Sequence, residues 1–118
     1  MGLFKMQKIQ VAYKDIVLAD SSANEEFLAG LRDRLKAMEP GGGELLLVPA
    51  VEPGDCKDVD AALQVTAAYK HCARRIKDCA CVKGFEIPSV FKSMERGGEL
   101  ADNFKSELLE KHPHYIFE

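Results

Sequence analysis

The segment Glu44 to Val51 contains the uninterrupted apolar run Leu45-Leu46-Leu47-Val48, with Gly41-Gly42-Gly43 before it and Pro53-Gly54-Asp55 after it. A short apolar run between turn signals lacks the alternation of a strand with one wet face. It therefore reads as a strand covered on both faces, the habit of parallel sheets. The chain on either side must then supply the covering elements, and both flanks have helical periodicity.

Upstream, Phe27, Leu28, Leu31, Leu35 and Met38 recur at three- and four-residue intervals, which places one apolar stripe on a helix ended by Pro40 and the glycines. Asp20-Ser21-Ser22 supplies candidate N-caps for that helix, and Glu25 and Glu26 suit the positive end of its dipole. Before it, Lys8 to Ala19 alternates through Ile9, Val11 and Tyr13 and then runs apolar from Ile16 to Ala19. That is one long strand, or two short ones split near Lys14-Asp15. Downstream, Asp58 is placed to cap a long helix with a stripe through Val59, Leu63, Thr66, Tyr69, Ala73, Ile76 and Ala80. Val82 to Ile87 reads as a third strand, ended by Pro88. A helical stretch from Ser89 breaks at Gly97-Gly98 and resumes through Leu100, Phe104 and Leu108; Pro113 stops it, and Tyr115-Ile116-Phe117 is a possible terminal strand.

Strands and helices alternating at these lengths predict an α/β fold: a small three- to four-stranded, mostly parallel sheet with helices packed on it, in one domain spanning residues 1–118. A chain of 118 residues buries about two-thirds of its unfolded surface, enough for one core.

Charge and flanking sequence narrow the function classes. Sixteen basic and nineteen acidic residues, a net charge of −3, leave no cationic excess for a nucleic-acid backbone. No stretch approaches the roughly 20 apolar residues of a membrane span, and Met1 to Gln10 lacks a signal peptide's apolar run, so a cytoplasmic location is expected. Met1-Gly2 opens like a myristoylation signal, but Met6 stands where Ser or Thr is required.

Lys8-Ile-Gln-Val-Ala-Tyr-Lys-Asp-Ile-Val-Leu-Ala-Asp-Ser-Ser22 resembles the central strand and Asp-Ser-Ser motif of STAS domains, the anti-sigma-factor antagonist family, and Gly42-Gly43-Glu44-Leu45-Leu46-Leu47-Val48 resembles that family's next strand. The resemblance covers roughly residues 8–70, with Ala23 where the family has glycine. It implies that a serine of the motif, here Ser21 or Ser22 beside Asp20, is phosphorylated by a partner kinase, and that the phosphate switches binding to another protein. Independently of the family, a strand end followed by a helix start favours an anion, and helix capping is the commoner reason for serines there.

The four cysteines, Cys56, Cys72, Cys79 and Cys81, offer the second chemistry. Read as thiols in a reducing compartment, they are small hydrophobes first. Cys79 and Cys81 are the best-spaced redox or metal pair, although no two knuckles give zinc spacing. Cys56, in a Gly-Asp-Cys-Lys turn next to Lys57, is the best-placed nucleophile. His112-Pro113-His114 reads as an exposed pair, and Arg74, Arg75 and Lys77 as a solvated helix end, with an acidic partner as the alternative.

The sequence thus favours a regulatory or protein-interaction domain without cofactor or metal, switched at Ser21/Ser22 and binding another protein or a second copy of itself. The alternative is a small α/β enzyme or thiol protein using Cys56 or Cys79/Cys81 in a cleft at the carboxyl ends of the strands. A short sheet also leaves edges that a homo-oligomer would pair.

Overall fold

The alternation of strand and helix signals builds one sheet in a computed structural model that describes residues 6–118; Met1-Gly2 lies outside them. Strands β1 (Gln7–Ala12), β2 (Leu45–Ala50), β3 (Val82–Phe85) and β4 (Ile116–Phe117) lie in the order β1-β2-β3-β4, and every neighbouring pair is parallel. Helix α1 (Tyr13–Ile16) follows β1 as a single turn, while α2 (Glu25–Met38), α3 (Val59–Arg75) and α4 (Gly97–Leu109) make the three crossovers. The fold is the expected small α/β type, with parallel pairing throughout.

Strands laid down in sequence order with right-handed crossovers place every connection on the same side of the sheet. The core reflects this: Leu45, Leu47, Val82 and Phe85 join the buried residues of α2, α3 and α4 in one cluster, from which Leu46 is absent. Leu46 points to the opposite face and is nevertheless fully buried. Lys8, in register with Leu46, pairs there with Glu86 and with Glu118 at 3.3 Å, bridging across β2. The apolar run on β2 therefore sends Leu45 and Leu47 into the helical core, while Leu46 is buried on the face where Lys8 pairs with Glu86 and Glu118.

Aromatic rings fill the helical side. Tyr69, Phe85 and Phe104 lie with centroids 6.2–6.3 Å apart, and Phe91 meets Phe104 edge-on at 6.3 Å. Each such burial contributes about 1.5–3 kcal/mol, with edge-to-face geometry adding to it. The α3 stripe that reaches this core is Ala62, Val65, Thr66, Tyr69, Cys72 and Ala73. Thr66, Tyr69, Ala73 and Ile76 of the expected stripe are buried, whereas Leu63 is exposed; α3 ends at Arg75, with Ala80 exposed in the following turn. Asp58 caps α3 as the sequence predicts, its side chain accepting from the Ala61 amide at 2.8 Å.

The largest departure from the sequence-based expectation lies between β1 and α2. The strand stops at Ala12, because Tyr13 and Ile16 turn inward as α1 and bury Ile16. Val17 then pairs with Ala23 in an isolated antiparallel bridge, closing a small hairpin around Asp20-Ser21-Ser22.

Candidate functional site

The hairpin tip holds the sequence's first candidates. Asp20, Ser21 and Ser22 do not cap α2: its N-cap is Asn24, whose side chain accepts from the Phe27 amide at 3.1 Å. The physical reason is that the three residues are already committed to their own turn. Both the amide and the hydroxyl of Ser22 donate to Asp20 Oδ1, at 3.0 and 2.6 Å, and Ser21 N donates to the Leu18 carbonyl at 2.9 Å. The two bonds from Ser22 hold the Asp20 carboxyl below its ordinary pKa. Ser21 takes a left-handed backbone, φ 71°, an uncommon conformation for a residue with a side chain. All three side chains are exposed, as is Leu18 beside them. Ser21 also lines a groove of about 330 Å³ with Tyr13, Gln64, Ala67 and His71.

The cysteines form no disulfide, although Cys81 lies near enough to Cys79 to add to the rise of its pKa. All four are free and buried. Cys79 Sγ lies 3.8 Å from the Arg32 carbonyl and Cys81 Sγ 3.4 Å from the Leu35 carbonyl, so the turn after α3 uses both thiols to pack onto α2. Burial pushes Cys79 up to about 11 and Cys72 up to about 12. Cys56 does sit in a cleft at the carboxyl ends of β2 and β3, with Asp58, Ser93 and Met94 among its lining. Its Sγ faces Met94 Sδ at 3.4 Å, and its pKa is raised by burial and then by Asp55 and Asp58. A nucleophilic thiol needs a neighbouring cation or a helix amino end to ionise near neutrality; Cys72, Cys79 and Cys81 are packed into the core, and at Cys56, which shares its cleft with Lys57 and Arg96, burial and the Asp55 and Asp58 carboxylates raise the pKa. Among the described residues, no three His, Cys, Asp or Glu side chains gather as a metal-binding group. The strand order also never reverses, so the sheet lacks the topological switch point at which open α/β sheets usually open a crevice.

One cluster escaped the sequence reading. The last turns of α3 and the segment after α4 meet in a cleft of about 700 Å³ lined by Lys70, His71, Arg74, Lys77, Lys111, His112 and His114 together with Ala67. His112 is not the exposed residue the sequence predicts; it is 4% exposed, its ring stacked on Tyr115 at 4.8 Å and 14°. Its Nε2 is buried and has no hydrogen-bond partner among the described residues. Burial, then His114 and Lys77, lower its pKa. The signals were visible separately as Arg74-Arg75-Lys77 and His112-Pro113-His114, but the two segments lie more than thirty residues apart and only tertiary packing unites them.

No family model, curated protein or solved structure matches the chain.

Proposed function

We propose that this chain is a regulatory protein-interaction domain read at the Asp20-Ser21-Ser22 hairpin, with one serine accepting a phosphate that changes partner binding. The observation that carries the reading is the exposure of a closed, stereochemically defined turn: Ser21 and Ser22 are both exposed, and their backbone is held by the Val17–Ala23 bridge. Ser21 is the favoured acceptor. A phosphate on Ser22 would break its hydroxyl bond to Asp20 and place two like charges side by side, whereas Ser21 borders the groove that contains His71. The resemblance to STAS domains supports the same assignment, and the raised thiol pKa values weigh against covalent chemistry at the cysteines.

The test is the intact mass of the untagged protein from its native cells, followed by peptide mapping and by partner co-purification with Ser21→Asp and Ser21→Ala. Phosphate on Ser21 or Ser22, together with different partner recovery by the two variants, is the expected result. A chain that stays unphosphorylated across growth conditions, with identical recovery for both variants, refutes the proposal.

A further inference from the structure

The α3–α4 cleft concentrates positive charge in a protein whose net charge is −3. Two of its lining groups are already paired. Lys70 meets Glu107 at 3.0 Å and Glu110 at 3.5 Å, and His71 meets Glu25 at 2.9 Å. Arg74, Lys77 and Lys111 make no ion pair among the described residues. Dipole compensation accounts for part of this charge, since α3 and α4 both end here and each helix C-terminus carries about half a negative charge. Against three free cations that leaves a surplus of roughly two positive charges. A second observation is independent of the charge count: the three unpaired cations converge on one cleft from two elements, Arg74 and Lys77 from the end of α3 and Lys111 from the segment after α4.

We propose that this cleft binds a small phosphate-bearing molecule, with Arg74, Lys77 and Lys111 holding the phosphate oxygens against the wall that His112 helps to form. The charge requirement favours phosphate over a single carboxylate, because one phosphate group supplies about −1.5 to −2 at neutral pH. The volume, about 700 Å³, falls in the range of small-molecule sites and leaves room for an organic body beyond the phosphate. A nucleic-acid strand fits less well. Its continued line of phosphates would run onto Glu25, Glu107 and Glu110 at the rim, and the chain has no cationic excess beyond the cleft to offset them. The site does not depend on modification of the hairpin, and either assignment can fail without the other.

The experiment is calorimetric titration of the full chain with inorganic pyrophosphate at low ionic strength, repeated with Arg74→Gln, Lys77→Gln and Lys8→Gln. Arg74 and Lys77 are exposed, so their loss leaves the fold intact, and Lys8 lies on the opposite face of the sheet as a control for general charge. The expected result is one saturable site, weakened roughly tenfold by Arg74→Gln and by Lys77→Gln and unchanged by Lys8→Gln. In a proton–carbon correlation spectrum the His112 ring signal should move with the same saturation curve. Absence of saturable binding at millimolar pyrophosphate overturns the proposal, as does equal weakening by Lys8→Gln. Tighter binding of citrate than of pyrophosphate overturns the phosphate assignment, and binding of a single-stranded DNA oligonucleotide without pyrophosphate binding overturns the small-molecule one.

Discussion

Gly84 is the position at which a single methyl group should have the largest effect on this fold. A Cβ built there stands 1.8 Å from the Ile116 carbonyl oxygen, 2.7 Å from its carbon and 2.8 Å from the Ile116 nitrogen. All three are backbone atoms, so no rotamer change can relieve the clash, and Gly84→Ala must push β4 away from β3. Besides the ladder pairing of Gly84 with Ile116 and Phe85 with Phe117, β4 stands to lose two bonds at its end: Glu118 N donates to the Phe85 carbonyl at 3.2 Å and Ile87 N to the Glu118 carbonyl at 2.8 Å. The Tyr115 and Phe117 rings, 5.7 Å from Phe85 and 6.2 Å from Phe104, move with the strand. Two backbone bonds at about 1 kcal/mol each and partial re-exposure of the two rings at about 1–2 kcal/mol give a loss of about 3–4 kcal/mol. The lower unfolded-state entropy of alanine returns about 0.5 kcal/mol of it. For a chain of this length the net corresponds to a fall in Tm of about 12 °C. Urea unfolding followed by circular dichroism gives the free energy, and amide exchange at Ile87 and Glu118 reports the strand itself. A variant within about 0.5 kcal/mol of the parent, with both amides still protected, would refute the close-approach account of Gly84.

Three further outcomes are expected. Gly30→Ala lies mid-helix in α2 with open space around the added methyl, so it should stabilise the protein by about 0.5–1 kcal/mol in the same urea assay. The thiols should react with a disulfide reagent at pH 8 only at the rate of unfolding, all four together; rapid native modification of any one would contradict the buried placement. Because the folded pKa of His112 lies below its ordinary 6.5, the unfolded chain binds more protons, and the contribution of His112 to stability is present above about pH 6.5 and declines as pH falls below it. His112→Phe keeps a ring against Tyr115 and should flatten the stability profile between about pH 7.5 and 5.5; parallel profiles for the two proteins would refute this.

Much of the architecture was legible because it follows from short-range chemistry. The Leu45-Leu46-Leu47 run, the Asp58 cap, the glycine stop after Met38 and even the two-residue terminal strand at Ile116-Phe117 are local signals that tertiary packing did not override. The errors share a different origin. Asp20-Ser21-Ser22 has the composition of an N-cap, but Asn24 is nearer the first helical turn and competes successfully, freeing the serines to close their own hairpin. The α3 stripe is as expected at Thr66, Tyr69, Ala73 and Ile76 and fails at Leu63, which looks like core but is exposed while its neighbours Ala62 and Val65 are buried. The cationic cleft was beyond a linear reading altogether, since nothing in His112-Pro113-His114 indicates that its imidazole lies buried beside α3.

The unbroken order β1-β2-β3-β4 also bears on how the chain is made. Each strand docks beside the one synthesised just before it, so no segment waits for a distant partner and none must be threaded between strands already in place. Once Phe85 has left the ribosome, three of the four strands and two of the three crossover helices can already associate, and only α4 and a two-residue strand remain to be added. At every stage the growing sheet exposes one new edge, and the next strand translated covers it, which limits the time that an unpaired edge is open to a neighbouring chain. Translation and assembly therefore proceed in the same direction, from β1 towards β4.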